Sequence, residues 1–103
     1  MNPKELSRLL KQQDKAPVVL DVRSAMEFRR GHIPGSIHFP IWGLLFKRRK
    51  LPENRGQLIV VTCEHGPRAQ MAAGLLQKFG YSRVQLLDGH MSRWRRENLP
   101  TER

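Results

Sequence analysis

The run from Leu58 to Ala69 limits this chain more than any other stretch. It opens with Leu58-Ile59-Val60-Val61, a short, β-branched aliphatic run that reads as a buried strand. Thr62 leads to Cys63, the one cysteine of the chain, then to Glu64-His65-Gly66-Pro67, and a helical pattern opens near Arg68. A strand passing through a tight loop into a helix aims backbone N–H groups and a helix N-terminus at one spot. A thiol at the mouth of that loop is a candidate nucleophile in an anion-binding cradle, because the thiolate is stabilised there.

The flanking sequence supplies more elements of both kinds. Asn2-Pro3 with Glu5 reads as a helix start, and Leu6, Leu9 and Leu10 give that helix an apolar face; it is expected to end near Gln13. Val18 to Val22 is a nearly all-apolar strand, the pattern of burial on both sides of a parallel sheet. Ser24-Ala25-Met26-Glu27 is a capping-box pattern for a short helix through Arg30 that stops at Gly31. Pro34-Gly35 marks a turn, Ile37-His38-Phe39 a short strand, and residues 40–51 a short helix with an exposed basic loop. Ala69, Ala72, Ala73, Leu76 and Phe79 recur at helical spacing before Gly80; Val84 to Leu87 is a last strand and Met91 to Asn98 a last helix. Strands alternating with helices predict an α/β fold, one domain over residues 1–103, with a parallel sheet flanked by helices on both faces. In such sheets ligands sit at the carboxyl ends of the strands, where Cys63 falls.

Composition narrows the function. One cysteine leaves no intrachain disulfide and no multi-cysteine metal site, and no His/Asp/Glu spacing makes one either, so no metal or cofactor is expected. His32 and His38 read as packing or turn residues, and Trp42 and Trp94 as core or rim anchors. The lone thiol suits a reducing cytoplasm, and no signal peptide or membrane span is read. The 19 Lys and Arg against nine Asp and Glu give a net charge of +10, with clusters at Lys47-Arg48-Arg49-Lys50 and Arg93 to Arg96. These are either a solvated face or a means of steering small anions or an acidic partner. Without basic and aromatic residues interleaved, specific nucleic-acid recognition is not expected.

Three stretches in order resemble the rhodanese-like, or sulfurtransferase, family. They are Asp21 to Ser36, the Cys63 to Arg68 loop, and Gly80 to Trp94, which together span roughly residues 4–98. Two departures stand out: His90 occupies the place of the family's usual second glycine after Gly89, and the edge strand that often precedes the first helix is absent, which leaves four strands or five. The resemblance implies a sulfurtransferase that takes sulfane sulfur from thiosulfate or a related anion and passes it through a Cys63 persulfide to a thiol, cyanide or an acceptor protein. Cys63 through Arg68 counts six residues; in this family six accompany sulfur transfer, and seven accompany phosphatase or arsenate-reductase chemistry. A carrier or protein-binding module on the same fold, without turnover of free thiosulfate, is the rival reading.

Residue by residue, Cys63 is the candidate nucleophile, ionised and accessible at the sheet's rim. Glu64, His65, Gly66, Pro67, Arg68 and Ala69 form the candidate substrate-binding loop. Glu64 and His65 are expected to face outward, Glu64 opposing an anionic donor and His65 either donating to it or serving only as a loop residue. Gly66 supplies backbone freedom, Pro67 stiffens the loop and starts the helix, and Arg68 lines the pocket. Asp21 and Arg23 support the site: Asp21 within reach of the loop, Arg23 paired with Glu27 across the first helical turn.

Overall fold

The computed structural model describes residues 1–46 and 48–103; Lys47, where the predicted basic run begins, lies outside the described residues. Four strands, β1 (Val18–Asp21), β2 (Ile37–His38), β3 (Ile59–Thr62) and β4 (Val84–Leu86), form one parallel sheet in the order β2-β1-β3-β4. Among the described residues five helices, α1 (Pro3–Leu10), α2 (Ala25–Arg29), α3 (Gly43–Phe46), α4 (Pro67–Lys78) and α5 (His90–Arg96), connect and flank them, with a 3-10 turn at Arg48–Lys50.

The pleat of the sheet sorts its side chains into two cores. Leu20 and Val22 with Ile59, Val61 and Cys63 point to one face and pack with Ala69, Ala72 and Leu76 of α4, and with Phe39 and Leu44. Val19 and Val60 point to the other, where Leu6 of α1 meets Met91 and Trp94 of α5. Both faces are covered, which is why β3 reads as an unbroken apolar run. Trp94 is buried and donates its indole N–H to Pro100 O at 2.9 Å; Trp42 is about half exposed.

Helix starts follow the sequence signals. The Asn2 side chain accepts the Lys4 N–H at 2.8 Å, and Ser24 and Glu27 form the capping box. Ends follow less well. The first helix closes at Leu10 instead of Gln13, because the Lys11 and Gln12 amides tighten onto the carbonyls three residues back and the polar residues beyond have no apolar face to bury. Phe28 stacks on His32 at 3.7 Å and His38 at 4.9 Å, so both histidines are packing residues. The tail folds back: the His32 and Glu102 backbones exchange N–H···O bonds of 2.9 Å each.

Candidate active site

The chain leaves β1 toward β2 on one side and β3 toward β4 on the other. The switch point lies between their carboxyl ends, where Asp21 pairs with Thr62. Cys63 follows Thr62 at this crevice and continues the β3 pleat toward α4. Its side chain is therefore fully buried in the α4-side core, not accessible at the rim as the sequence suggested. Among the described residues a single amide meets the sulfur: Gly66 N–H donates to Cys63 Sγ at 3.0 Å.

Gly66 caps α4 with φ of +132°, a backbone shape that residues with a Cβ rarely adopt. Pro67 starts the helix as expected, and Ala69 is buried against the sheet. His65 and Pro67 are exposed.

The loop is gripped from below by α5. Met91 N–H donates to Cys63 O at 3.0 Å, and Ser92 N–H to Glu64 O at 3.2 Å. Before them sits His90, buried, with φ of +53°. Cys63 N–H donates to His90 Nδ1 at 3.3 Å, and Thr62 Oγ1 lies 3.4 Å from the same nitrogen. An Nδ1 that accepts is unprotonated, so the ring is neutral with its proton on Nε2. Burial pushes the His90 pKa below its ordinary value; Asp88 opposes this, and His65 and the N-terminal amine reinforce it.

Charged side chains tie the loop to the β1–α2 corner. Arg23, itself buried, binds the buried Asp21 carboxylate through Nε at 2.9 Å and Nη2 at 2.8 Å, donates to Gly31 O at 2.9 Å, and reaches Glu64 Oε1 at 3.4 Å. Burial pulls the Arg23 pKa down, but hydrogen bonds and charge from Asp21, helped by Glu64 and Glu27, carry it above the ordinary value. Glu64 also pairs with Arg95 of α5, so it lies half-buried under two arginines instead of facing outward. The expected Arg23–Glu27 pair is not the bond that forms: Glu27 takes Arg68, at 2.6 and 3.0 Å. That bond, followed by the Ser24 contacts, holds the Glu27 carboxyl down at about 2. The Arg68 pKa is raised, first by Glu27 and then by smaller contributions that include Cys63 and Asp21. Asp21 thus serves the loop through Arg23, not by bonding it directly. Among the described residues no cluster of His, Cys, Asp or Glu has the arrangement to hold a metal ion, and no helix is long and apolar enough to cross a membrane.

The family model of the rhodanese-like domain matches residues 2–97. The chain belongs to the rhodanese-like family. Among its relatives, the thiosulfate sulfurtransferase GlpE of Pseudomonas savastanoi pv. phaseolicola is 34% identical over 93 residues, covering 90% of this chain and 84% of that one. YrkF of Bacillus subtilis strain 168, named provisionally as a sulfur carrier protein, is 35% identical over 71 residues; the match covers 69% of this chain and 37% of YrkF. A solved thiosulfate sulfurtransferase from Pseudomonas aeruginosa superposes with a TM-score of 0.88 at 27% identity, covering 100% of this chain and 19% of that one.

Within this rhodanese-like domain, the structure gathers Cys63, Glu64, Gly66, Arg68, Asp21 and Arg23 at one corner, linked by the bonds above. Sequence reasoning missed His90 and Arg95. In the sequence His90 reads only as a departure at a turn; its left-handed φ next to Gly89 is what turns the ring beneath Cys63. Arg95 reads there only as one of a basic run.

Proposed function

We propose that this chain is a sulfurtransferase that carries sulfane sulfur on Cys63. The observation supporting this reading is the Gly66 N–H bond to Cys63 Sγ inside a six-residue loop at the sheet's switch point. In the proposed reaction the Cys63 thiolate attacks the outer sulfur of thiosulfate. A new S–S bond forms, the old one breaks, and its electron pair leaves with sulfite. Cyanide or a thiolate then attacks the outer sulfur of the persulfide and returns the electron pair to Cys63. The Gly66 amide stabilises the anionic sulfur in the manner of an oxyanion-hole donor, and Arg68 adds positive charge nearby. Cys63 is fully buried, so in this reading the structure around it opens before a donor reaches the sulfur. A lone thiol working this way suits a reducing compartment such as the cytosol.

Mass spectrometry after exposure to thiosulfate tests the reading. Wild type is expected to gain one sulfur at Cys63 and to form thiocyanate catalytically with cyanide; Cys63→Ser is expected to do neither while staying folded. Full activity in Cys63→Ser overturns the mechanism. The burial of Cys63 favours a second reading, a persulfide carrier that unloads only onto a partner protein. Stoichiometric loading without turnover on small acceptors selects it.

A further inference from the structure

The segment after β2 leaves the sheet at its carboxyl end, the end at which Cys63 follows β3. Its apolar residues divide between two directions. Phe39 and Leu44 are buried in the α4-side core, and Ile41 packs against it. Trp42 and Phe46, about one helical turn apart, stay out of that core: Trp42 is 51% exposed and Phe46 78%. The chain then runs into Lys47-Arg48-Arg49-Lys50. Arg49 and Lys50 are exposed and have no ion-pair partner among the described residues. No Asp or Glu occurs in the sequence between Glu27 and Glu53, and Glu27 is taken by Arg68. Lys50 and Trp42 share a cavity of about 230 Å³ with His38, Phe39, Pro40 and Gly43, and among the described residues no carboxylate lines it. Outward aromatic rings beside a run of unneutralised cations form a surface with two requirements, negative charge and an apolar layer just beneath it.

We propose that this segment docks the protein on an anionic membrane surface, with Trp42 and Phe46 entering the headgroup layer and the Lys47 to Lys50 run meeting lipid phosphates. An anionic bilayer supplies both requirements at once. A nucleic acid or an acidic protein offers the charge, but a protein needs a pocket matched to each ring, whereas a bilayer takes protruding rings in any orientation. Each cation near such a surface adds to the attraction, and four in a row beside an aromatic pair is the pattern of lipid-headgroup recognition. The association is peripheral: among the described residues no helix is long and apolar enough to cross a membrane. It puts the bilayer at the same end of the sheet as the Cys63 loop. The inference is independent of the sulfur-transfer reading, since docking needs no persulfide.

The test titrates the full chain with vesicles of phosphatidylcholine, alone or mixed with phosphatidylglycerol. Tryptophan emission makes the readout specific, because Trp94 is buried and Trp42 is half exposed. Mixed vesicles are expected to bind, to shift the emission to the blue and to quench it when their acyl chains are brominated. Phosphatidylcholine alone is expected to bind at least about tenfold more weakly, and added salt to weaken the mixed-vesicle binding. Arg49→Glu with Lys50→Glu is expected to lower affinity by about tenfold or more, and the exposed Phe46→Ser by severalfold. Lys11→Glu with Arg96→Glu makes the same change of net charge on the opposite face of the sheet, where α1 and α5 pack, and is expected to keep most of the binding. Trp42→Phe is expected to abolish the quenching. No binding to mixed vesicles, equal binding to both kinds, or equal loss in the two double variants overturns the proposal. Binding without quenching by brominated chains overturns it too. So does tighter binding to single-stranded RNA or to polyglutamate than to mixed vesicles, which selects a nucleic-acid or an acidic-protein partner instead.

Discussion

Arg68, the last residue of the Cys63 loop, gives both terminal nitrogens to Glu27 on α2, at 2.6 and 3.0 Å. The guanidinium best placed to attract a donor anion is therefore engaged by a carboxylate of the same chain. Both partners are partly exposed, with side-chain exposures of 40% and 31%, so solvent screening holds the pair's stability contribution below about 1 kcal/mol. Its effect on substrate is the more visible one. Glu27→Gln keeps an oxygen for the Ser24 capping bonds while releasing Arg68, and the KM for thiosulfate is expected to fall severalfold. Arg68→Ala is expected to raise it by about tenfold. With the Glu27 pKa at about 2, below its usual 4.5, the pair contributes fully above pH 4.5 and is lost as pH falls toward 2. An acid titration of stability, wild type against Glu27→Gln, checks that window.

Gly66 is held between two demands. Its φ of +132° suits glycine, and a Cβ added there would lie 3.3 Å from His90 Nε2. Gly66→Ala is expected to cost about 1–3 kcal/mol in chemical denaturation, the range for strained backbone. It is also expected to slow sulfur loading at Cys63 beyond the loss of fold, because the amide that moves is the one bonded to Sγ. Unchanged loading in a folded variant rules out the amide's role.

His90 gives the loop a pH dependence of a definite sign. Its pKa is lower in the fold than in the unfolded chain, where it is near 6.5, so below that value the unfolded state takes up the proton first. Stability is unaffected by His90 above about pH 6.5 and declines as pH falls below it, levelling off once the folded ring is also protonated. Asp88, His65 and the N-terminal amine are the charged groups that tune the window. His90→Asn keeps an acceptor and tolerates the left-handed backbone, and is expected to remain stable while losing this pH slope. His90→Leu leaves the buried Cys63 N–H unpaired and is expected to cost about 1–3 kcal/mol. Denaturant midpoints between pH 5 and 8 distinguish the three proteins.

The parts of this molecule that could be read from its sequence were those decided locally. β3 announced itself because both faces are buried and every residue of Ile59–Thr62 is inside. The Ser24–Glu27 box was legible because capping chemistry acts over three residues. Partner choice was not legible, because it is tertiary. Helical spacing offered Glu27 to Arg23, yet Arg23 turns back to Asp21 at the strand end and Arg68 arrives from 41 residues away. The burial of Cys63 follows from the β3 pleat running one residue past the strand, and a nucleophile's motif hides that. His90 reaches Cys63 across 27 residues through a turn whose left-handed backbone a histidine does not advertise.

The Asp21–Arg23 pair is the site's structural anchor, and its burial sets the sign of each substitution. Asp21 has no exposed surface, and the Arg23 side chain is 2% exposed. Both charges leave water, and their bidentate bond, the Arg23 amide on Asp21 Oδ1 at 3.1 Å, and the Gly31 carbonyl together offset that desolvation. Asp21→Asn removes one charge and strands the guanidinium in the interior, so a loss of about 3–5 kcal/mol is expected. Arg23→Met strands the carboxylate instead and is expected to cost a similar amount, while also releasing Glu64 to Arg95 alone. The double variant Asp21→Asn with Arg23→Met leaves no buried charge and is expected to be more stable than either single one, although the loop has lost its tie to β1. Sulfur loading is expected to stay slow in the double variant even where stability has recovered. A double-mutant cycle that measures both stability and loading rate separates the two effects; a rate that recovers with stability removes any positioning role for Arg23.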